Sequence, residues 1–276
     1  MRELLNKKLK EKKFLIAQHR GSYGANVLDN TYLSMKLALE MGADMVEVDV
    51  VKSSDNVLFA FHNGKEFKRF GKEFDIRTLP SSEIEKLEYI NIEGGLSGRG
   101  VERIEDILLK LKGDYLINID RGWDYLPEIF DLVTKLKMEN QVIIKAGPEE
   151  KVLNFLKNSK KKLMFMPIVR DEKSLDLFLK ENINVVAVEV LFDKENHELN
   201  SQAFKKKLKE KGILLWINAI KLDNSDEFNF AAGHSDDGGL ENSGKDWQWI
   251  IDNGANIIQT DWVYFLNKYR NKILEK

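Results

Sequence analysis

The chain has 276 residues and no cysteine. That absence removes a disulfide framework, thiolate zinc or iron–sulfur sites and a cysteine nucleophile from consideration. Histidine is scarce as well, at 4 residues, so a bound metal must rely mainly on carboxylates, carbonyls or those few imidazoles. No apolar run approaches the ~20 residues of a membrane span, and the basic, amphipathic stretch Met1 to Lys13 lacks the apolar core of a signal peptide. The expected address is therefore the cytoplasm, with no stable membrane insertion, and residues 1–13 are expected to cover the bottom of the fold. Charge of one sign is not in excess either: 43 Lys+Arg face 45 Asp+Glu, a net −2, which argues against a nucleic-acid partner. With 43% hydrophobic residues the chain can bury a full core, and disordered or collagen-like classes are excluded.

What is present is an alternation of short apolar runs with longer amphipathic ones, the pattern of parallel strands buried on both faces and joined by helices. The runs are Phe14 to Gln18, Met45 to Val50, Tyr115 to Asp120, Gln141 to Ala146, Leu163 to Val169, Val185 to Phe192, Ile213 to Asn218 and Asn256 to Thr260. Asp29 or Asn30 reads as the cap of the first intervening helix and Gly42 as its stop, Pro127 opens a later one, and Gly212 and Gly254 end two others. Eight βα units over this length, with no Gly-rich phosphate loop at the first helix, predict one (β/α)8 TIM barrel spanning residues 1–276. Two segments exceed a minimal barrel. The link at residues 52–56 is too short for a parallel crossover, so Val57 to His62 should return as an antiparallel hairpin, with residues 64–100 forming a small insertion after it. Residues 219–245 read as a long polar loop over the C-terminal face, with Asp236-Asp237-Gly238-Gly239 as turn chemistry.

Barrel chemistry sits at the C-terminal ends of the strands, and these ends are unusually polar. The first offers His19 and Arg20, the second Glu47 and Asp49, the third Asn118 and Asp120, the fourth Lys145, the seventh Trp216 and Asn218. Alternation along a strand puts Glu47 and Asp49 on one face and Asn118 and Asp120 on another, so three carboxylates can converge on one mouth. Folding the hairpin about Asp55 sets His62 opposite Val48, between Glu47 and Asp49 and within reach of His19. Crowded carboxylates call for a cation, and an all-oxygen set suits one hard divalent ion, Mg²⁺ or Ca²⁺. Arg20 beside it suits a phosphate, and two imidazoles provide a general acid and a general base.

At this point the residues resemble a known family. His19-Arg20-Gly21, Asp29-Asn30-Thr31, residues 42–50 around Glu47-Val48-Asp49, and residues 54–62 ending in Phe61-His62 look like the amino-terminal signature of glycerophosphodiester phosphodiesterases. Residues 254–261 resemble the family's closing strand, and Trp216 stands in its usual strand-seven aromatic position. The resemblance implies a metal-dependent barrel that cleaves small-molecule phosphodiesters to glycerol phosphate and an alcohol. It implies His19 and His62 as acid–base pair and Glu47, Asp49 and Asp120 as ligands; Arg20 by its own chemistry and Trp216 by its place at the strand end read as substrate contacts. Three motifs depart from the family pattern. Its Glu-x-Lys pair on strand three is Asp120-Arg121-Gly122 here, which leaves Lys145 to take over the phosphate contact; its His-Asp is His62-Asn63; and its Glu-Asn-Thr is Asp29-Asn30-Thr31.

Two other readings stay open on the residues alone. A metal-dependent aldolase or enolising lyase would also use paired Glu and Asp on barrel strands, and a non-catalytic relative would keep the pocket without the chemistry. His197 and His234 read as structural hydrogen-bonding residues, and the Lys-rich stretches as solvated helix faces.

Overall fold

The computed structural model describes residues 2–223, 225 and 229–275. Its strands are β1 (Leu15–Gln18), β2 (Met45–Lys52), β3 (Leu58–Ala60), β4 (Glu88–Ile90), β5 (Leu96–Gly100), β6 (Leu116–Asp120), β7 (Val142–Ala146), β8 (Met164–Val169), β9 (Ala187–Val190), β10 (Leu214–Asn218) and β11 (Ile257–Thr260). Eight of them run parallel in the order β1, β11, β10, β9, β8, β7, β6, β2, and β2 pairs back onto β1 to close a (β/α)8 barrel. The expected strands match these closely. The sixth is shorter, because Val185 and Phe192 make only isolated bridges, to Phe165 and Ala231.

Strand alternation sorts the side chains into two sets. The outward set, including Ile16, Val46, Val48, Ile117, Ile119, Ile144, Phe165, Val188, Ile217 and Ile258, packs against the surrounding helices in one continuous core. The inward set changes character with height. At the bottom, Leu15, Met45, Leu116, Ile143, Met164, Ala187 and Ile257 form a second apolar cluster, closed from below by Leu5 of the helix Glu3–Glu11. The N-terminal segment thus plugs the barrel bottom, and Arg2 pins it by donating to the Val185 carbonyl at 2.7 Å. Two residues further along five of these strands the inward positions become Glu47, Asn118, Lys145, Glu189 and Gln259, all buried.

Additions at the mouth complete the frame. β3 returns antiparallel to β2 with Val50 opposite Ala60, and the Phe61 N–H donates to the Asp49 carbonyl, which carries the hairpin to His62. Residues 64–100 hold two short helices and the β4–β5 ribbon, organised by stacked rings of Phe61, Phe70 and Tyr89. The cap of the helix Tyr32–Glu40 is Thr31 rather than Asp29 or Asn30, with Ser34 completing a reciprocal capping box. Residues 219–245 are not a continuous loop: Asp236–Glu241 is helical. The two glycines there serve close packing, not a turn, since a Cβ on Gly239 would lie 2.3 Å from the Trp247 ring. No helix among the described residues is long and apolar enough to cross a membrane.

Candidate active site

A cavity of about 800 Å³ opens at the C-terminal ends of the barrel strands. His19, Arg20, His62, Asp120 and Lys145 line it, and Glu47 and Asp49 lie buried beneath. The register explains the convergence: β2 and β6 run side by side with Glu47 level with Asn118 and Asp49 level with Asp120. Glu47, Asp49 and Asp120 each present an oxygen within 4.8 Å of the others.

Glu47 and Asp49 are each held on one side and open on the other, whereas Asp120 accepts from the Arg121 N–H at 2.6 Å through Oδ1 and faces Lys145 Nζ at 2.9 Å through Oδ2. Glu47 Oε2 accepts from the Arg20 backbone N–H at 2.9 Å, and Asp49 Oδ2 accepts from Asn30 Nδ2 at 3.0 Å while facing Arg20 Nε at 2.9 Å. The Asp49 N–H donates to Asn30 Oδ1 at 2.9 Å, so Asn30 clamps both the side chain and the backbone of Asp49. Arg20 adopts a positive φ of 54°, and Gly21 follows because a Cβ there would sit 2.4 Å from Ser34 Oγ. Glu47 Oε1 and Asp49 Oδ1 are buried with no partner. Burial, with the Asp49 charge next to it, pushes the Glu47 carboxyl up to about 8. Burial works the same way on Asp49, but the Arg20 guanidinium overcomes it and holds that carboxyl below the usual range. Two orphaned carboxyl oxygens converging with Asp120 in an all-oxygen set fit a hard divalent cation, and these three residues are the ones that would hold it.

Both histidines are anchored through Nδ1. His19 Nδ1 donates to Asp261 Oδ1 at 2.9 Å, and His62 Nδ1 to the Asn63 carbonyl at 2.8 Å, which leaves each Nε2 free for chemistry. Their environments differ in sign. Burial opposes charge on His19, but the Asp261 hydrogen bond and charge overcome it and raise its pKa. On His62 burial wins and the pKa falls.

Lys145 and Trp216 sit differently from the expectation. The Lys145 ammonium is wedged between Asp120 Oδ2 at 2.9 Å and Glu189 Oε2 at 3.1 Å. Burial lowers its tendency to stay charged, yet the two carboxylates reverse this and raise its pKa. Trp216 is fully buried one layer below the mouth and is not part of the cavity wall. Its Nε1 donates to Asn218 Oδ1 at 2.7 Å, Asn218 Nδ2 donates to Glu189 Oε1 at 2.8 Å, and its ring lies 5.6 Å from Lys145 Nζ. The direct substrate contact expected of Trp216 is thereby corrected to a prop beneath Asn218 and Lys145. The sequence position was right in parity and one layer too high.

Sequence reasoning passed over two more residues. Asp261 orients His19, and its place was readable: Gln18 is level with Thr260 across β1 and β11, so the next residues, His19 and Asp261, are neighbours. Asp236, read as a turn residue, is buried, accepts from Thr260 Oγ1, Trp247 Nε1 and the Asp261 N–H, and so fixes Asp261 in turn. His197 and His234 are structural, one capping the turn at Leu199 and the other stacked on Trp249.

A family model described as the glycerophosphoryl diester phosphodiesterase family matches residues 19–217, and one for a domain of unknown function matches residues 165–270. A curated glycerophosphodiester phosphodiesterase from Caldanaerobacter subterraneus subsp. tengcongensis is 28% identical over 147 residues. That match spans 52% of this chain and 53% of the relative, about half the length of each. Among solved structures, a glycerophosphoryl diester phosphodiesterase from Parabacteroides distasonis superposes with a TM-score of 0.75 at 15% identity, covering 98% of this chain and 92% of that one. A glycerophosphodiester phosphodiesterase from Agrobacterium tumefaciens gives 0.66 at 19% identity over 91% and 98% of the two chains. These structural likenesses carry the fold, while the family model covers well over half of the chain, from His19 to the seventh barrel strand: the chain belongs to the glycerophosphoryl diester phosphodiesterase family.

Proposed function

We propose that this protein hydrolyses glycerophosphodiesters to glycerol phosphate and an alcohol, using one divalent cation and the His19–His62 pair. The observation that carries the reading is the meeting of three carboxylates, two of them with orphaned oxygens, with two imidazoles tied at Nδ1. Glu47, Asp49 and Asp120 would hold the ion. Mg²⁺ or Ca²⁺ in that position supplies Lewis-acid polarisation of a phosphoryl oxygen and lowers the pKa of a nearby hydroxyl.

Arg20, fixed by its ion pair with Asp49, is placed to stabilise charge on the phosphoryl oxygens. Lys145 donates two of its three N–H bonds to Asp120 and Glu189, and the third is left for a phosphate oxygen. The nucleophile is a hydroxyl, either water, which gives glycerol phosphate directly, or the substrate's neighbouring glycerol hydroxyl, which gives a cyclic glycerol phosphate that water then opens. His19 Nε2 takes its proton as the new P–O bond forms, and His62 gives its Nε2 proton to the alkoxide as the old one breaks. Asp261 makes His19 the better acceptor by stabilising the imidazolium. The imidazolium of His62, disfavoured by burial, is the better donor. An enolising lyase would leave Arg20 and His62 without a task.

The test is a panel of glycerophosphodiesters assayed for glycerol phosphate and free alcohol with Mg²⁺, Ca²⁺ or Mn²⁺ and with chelator. Cation-dependent release of both products is expected. Chelator-resistant cleavage would sink the metal mechanism, and turnover of a 2-keto acid with no phosphodiester cleaved would select the lyase.

A further inference from the structure

The catalytic cavity holds more positive charge than one phosphodiester requires. Most of its charged residues are paired: Arg20 with Asp49, Arg69 with Asp29, Lys145 with Asp120 and Glu189, and Lys221 with Asp237. Lys65, Lys68, Arg121 and Arg170 line the same cavity and have no carboxylate partner among the described residues, against a single lining carboxylate, Asp223, without a cation. Three of the four cations stand just past a barrel strand or beside His62. Arg121 directly follows β6 and Asp120, Arg170 directly follows β8, and Lys65 closes a turn onto the His62 carbonyl at 3.2 Å.

Arg121 is oriented but not neutralised. Its Nε and Nη2 both donate to Asn63 Oδ1, at 3.0 and 2.9 Å, and its guanidinium lies 5.4 Å from the Trp123 ring. An amide aims the guanidinium and leaves its full charge available, where a carboxylate would cancel it. One departure from the family's sequence pattern, Asn63, is thus the group that aims Arg121. Lys65 shows the same surplus: burial and the neighbouring Arg20, Lys68 and Arg69 push its pKa below the usual lysine range. A phosphodiester carries one negative charge, which the ion, Arg20 and Lys145 already meet under the proposed mechanism.

We propose that this mouth selects glycerophosphodiesters whose alcohol carries a second phosphoryl group, bound by Lys65, Arg121 and Arg170. The inference rests on the proposed phosphodiesterase activity and names its substrate class. The test compares glycerophosphoinositol with glycerophosphoinositol 4-phosphate, which differ by one phosphoryl group, using the full chain and each divalent cation. At low ionic strength kcat/KM is expected to be ~10-fold or more higher for the phosphorylated substrate, and the advantage should shrink as salt is added. Asn63→Asp, which cancels the Arg121 charge, and Arg170→Ala should each reduce the ratio of the two kcat/KM values several-fold. A wild-type ratio near or below one, or a ratio that survives in both variants, overturns the inference while leaving the phosphodiesterase reading intact. Turnover of neither substrate overturns both.

Discussion

The two ends of the barrel interior are equally buried and chemically opposite. At the bottom, inward residues from Leu15 to Ile257 meet the Leu5 plug in a layer without a charge. At the top, the same strands present Glu47, Asp49, Lys145 and Glu189, each at most 5% exposed. Burying apolar side chains stabilises the fold at about 25 cal/mol per Å², whereas burying carboxylates costs free energy unless each is paired. The top is only partly paired, with orphaned oxygens on Glu47, Asp49 and Asn118 and an orphaned Gln259 amide nitrogen. One end of the barrel therefore holds the fold together, and the other keeps unsatisfied groups in place for a ligand.

Breaking each end should have opposite consequences. The largest effect belongs to the top: His19→Ala or His62→Ala should lower turnover at least ~100-fold and leave folding intact, as circular dichroism and kcat would show. A p-nitrophenyl glycerophosphodiester, whose leaving group needs no proton, should restore much of the activity of His62→Ala and little of that of His19→Ala; the reverse pattern would exchange the acid and the base. Next comes the bottom. Leu5→Ala should cost about 2–3 kcal/mol of unfolding free energy by denaturant titration, with kcat per folded molecule unchanged. Loss of activity without loss of stability there would contradict the division between the two ends.

The contrast between the ends was legible in the sequence wherever strand parity decides it. Residues two apart share a face, so Glu47 with Asp49, and Asn118 with Asp120, could be placed together, and the short link at 52–56 brought His62 back to them. Parity does not give height, and Trp216 was misplaced for that reason, since it shares a face with Asn218 but lies below it. Closure was the other hidden element. His19 and Asp261 are 242 residues apart, and only the β1–β11 register joins them. Asp236 was hidden by its neighbours, because Gly238 and Gly239 look like a turn until the Asp246 carboxylate is seen packed against the first and the Trp247 ring against the second.

A smaller, pH-dependent difference follows from Glu47. Its carboxyl titrates near 4.5 in the unfolded chain and at about 8 when folded, raised by burial and by Asp49. A raised carboxyl contributes stability that is fully present below the unfolded value and is lost as pH rises through the folded one. In chelator, the melting temperature of the wild type relative to Glu47→Gln should therefore fall between about pH 4.5 and pH 8. Added divalent cation should recover the wild type at the upper end of that window and not the variant. A wild-type curve parallel to that of Glu47→Gln would show that the top carries no such strain.

The finest separation lies within the top itself, between two histidines that share a cavity and differ in what stands behind them. His19 leans on a carboxylate and is raised, while His62 leans on a carbonyl and is lowered by burial. In a bell-shaped profile of kcat/KM, the lower limb follows the group with the lower pKa and the upper limb the group with the higher, whichever of them donates. Under the proposed mechanism the acid limb is expected to follow His62 and the alkaline limb His19. Asp261→Asn keeps an acceptor oxygen for His19 Nδ1 but removes the charge that raises it. The alkaline limb should move to lower pH, the acid limb should stay, and the loss of turnover should be smaller than in His19→Ala. Movement of the acid limb instead would mean that Asp261 acts on His62, against the geometry in which its carboxylate meets only the first histidine.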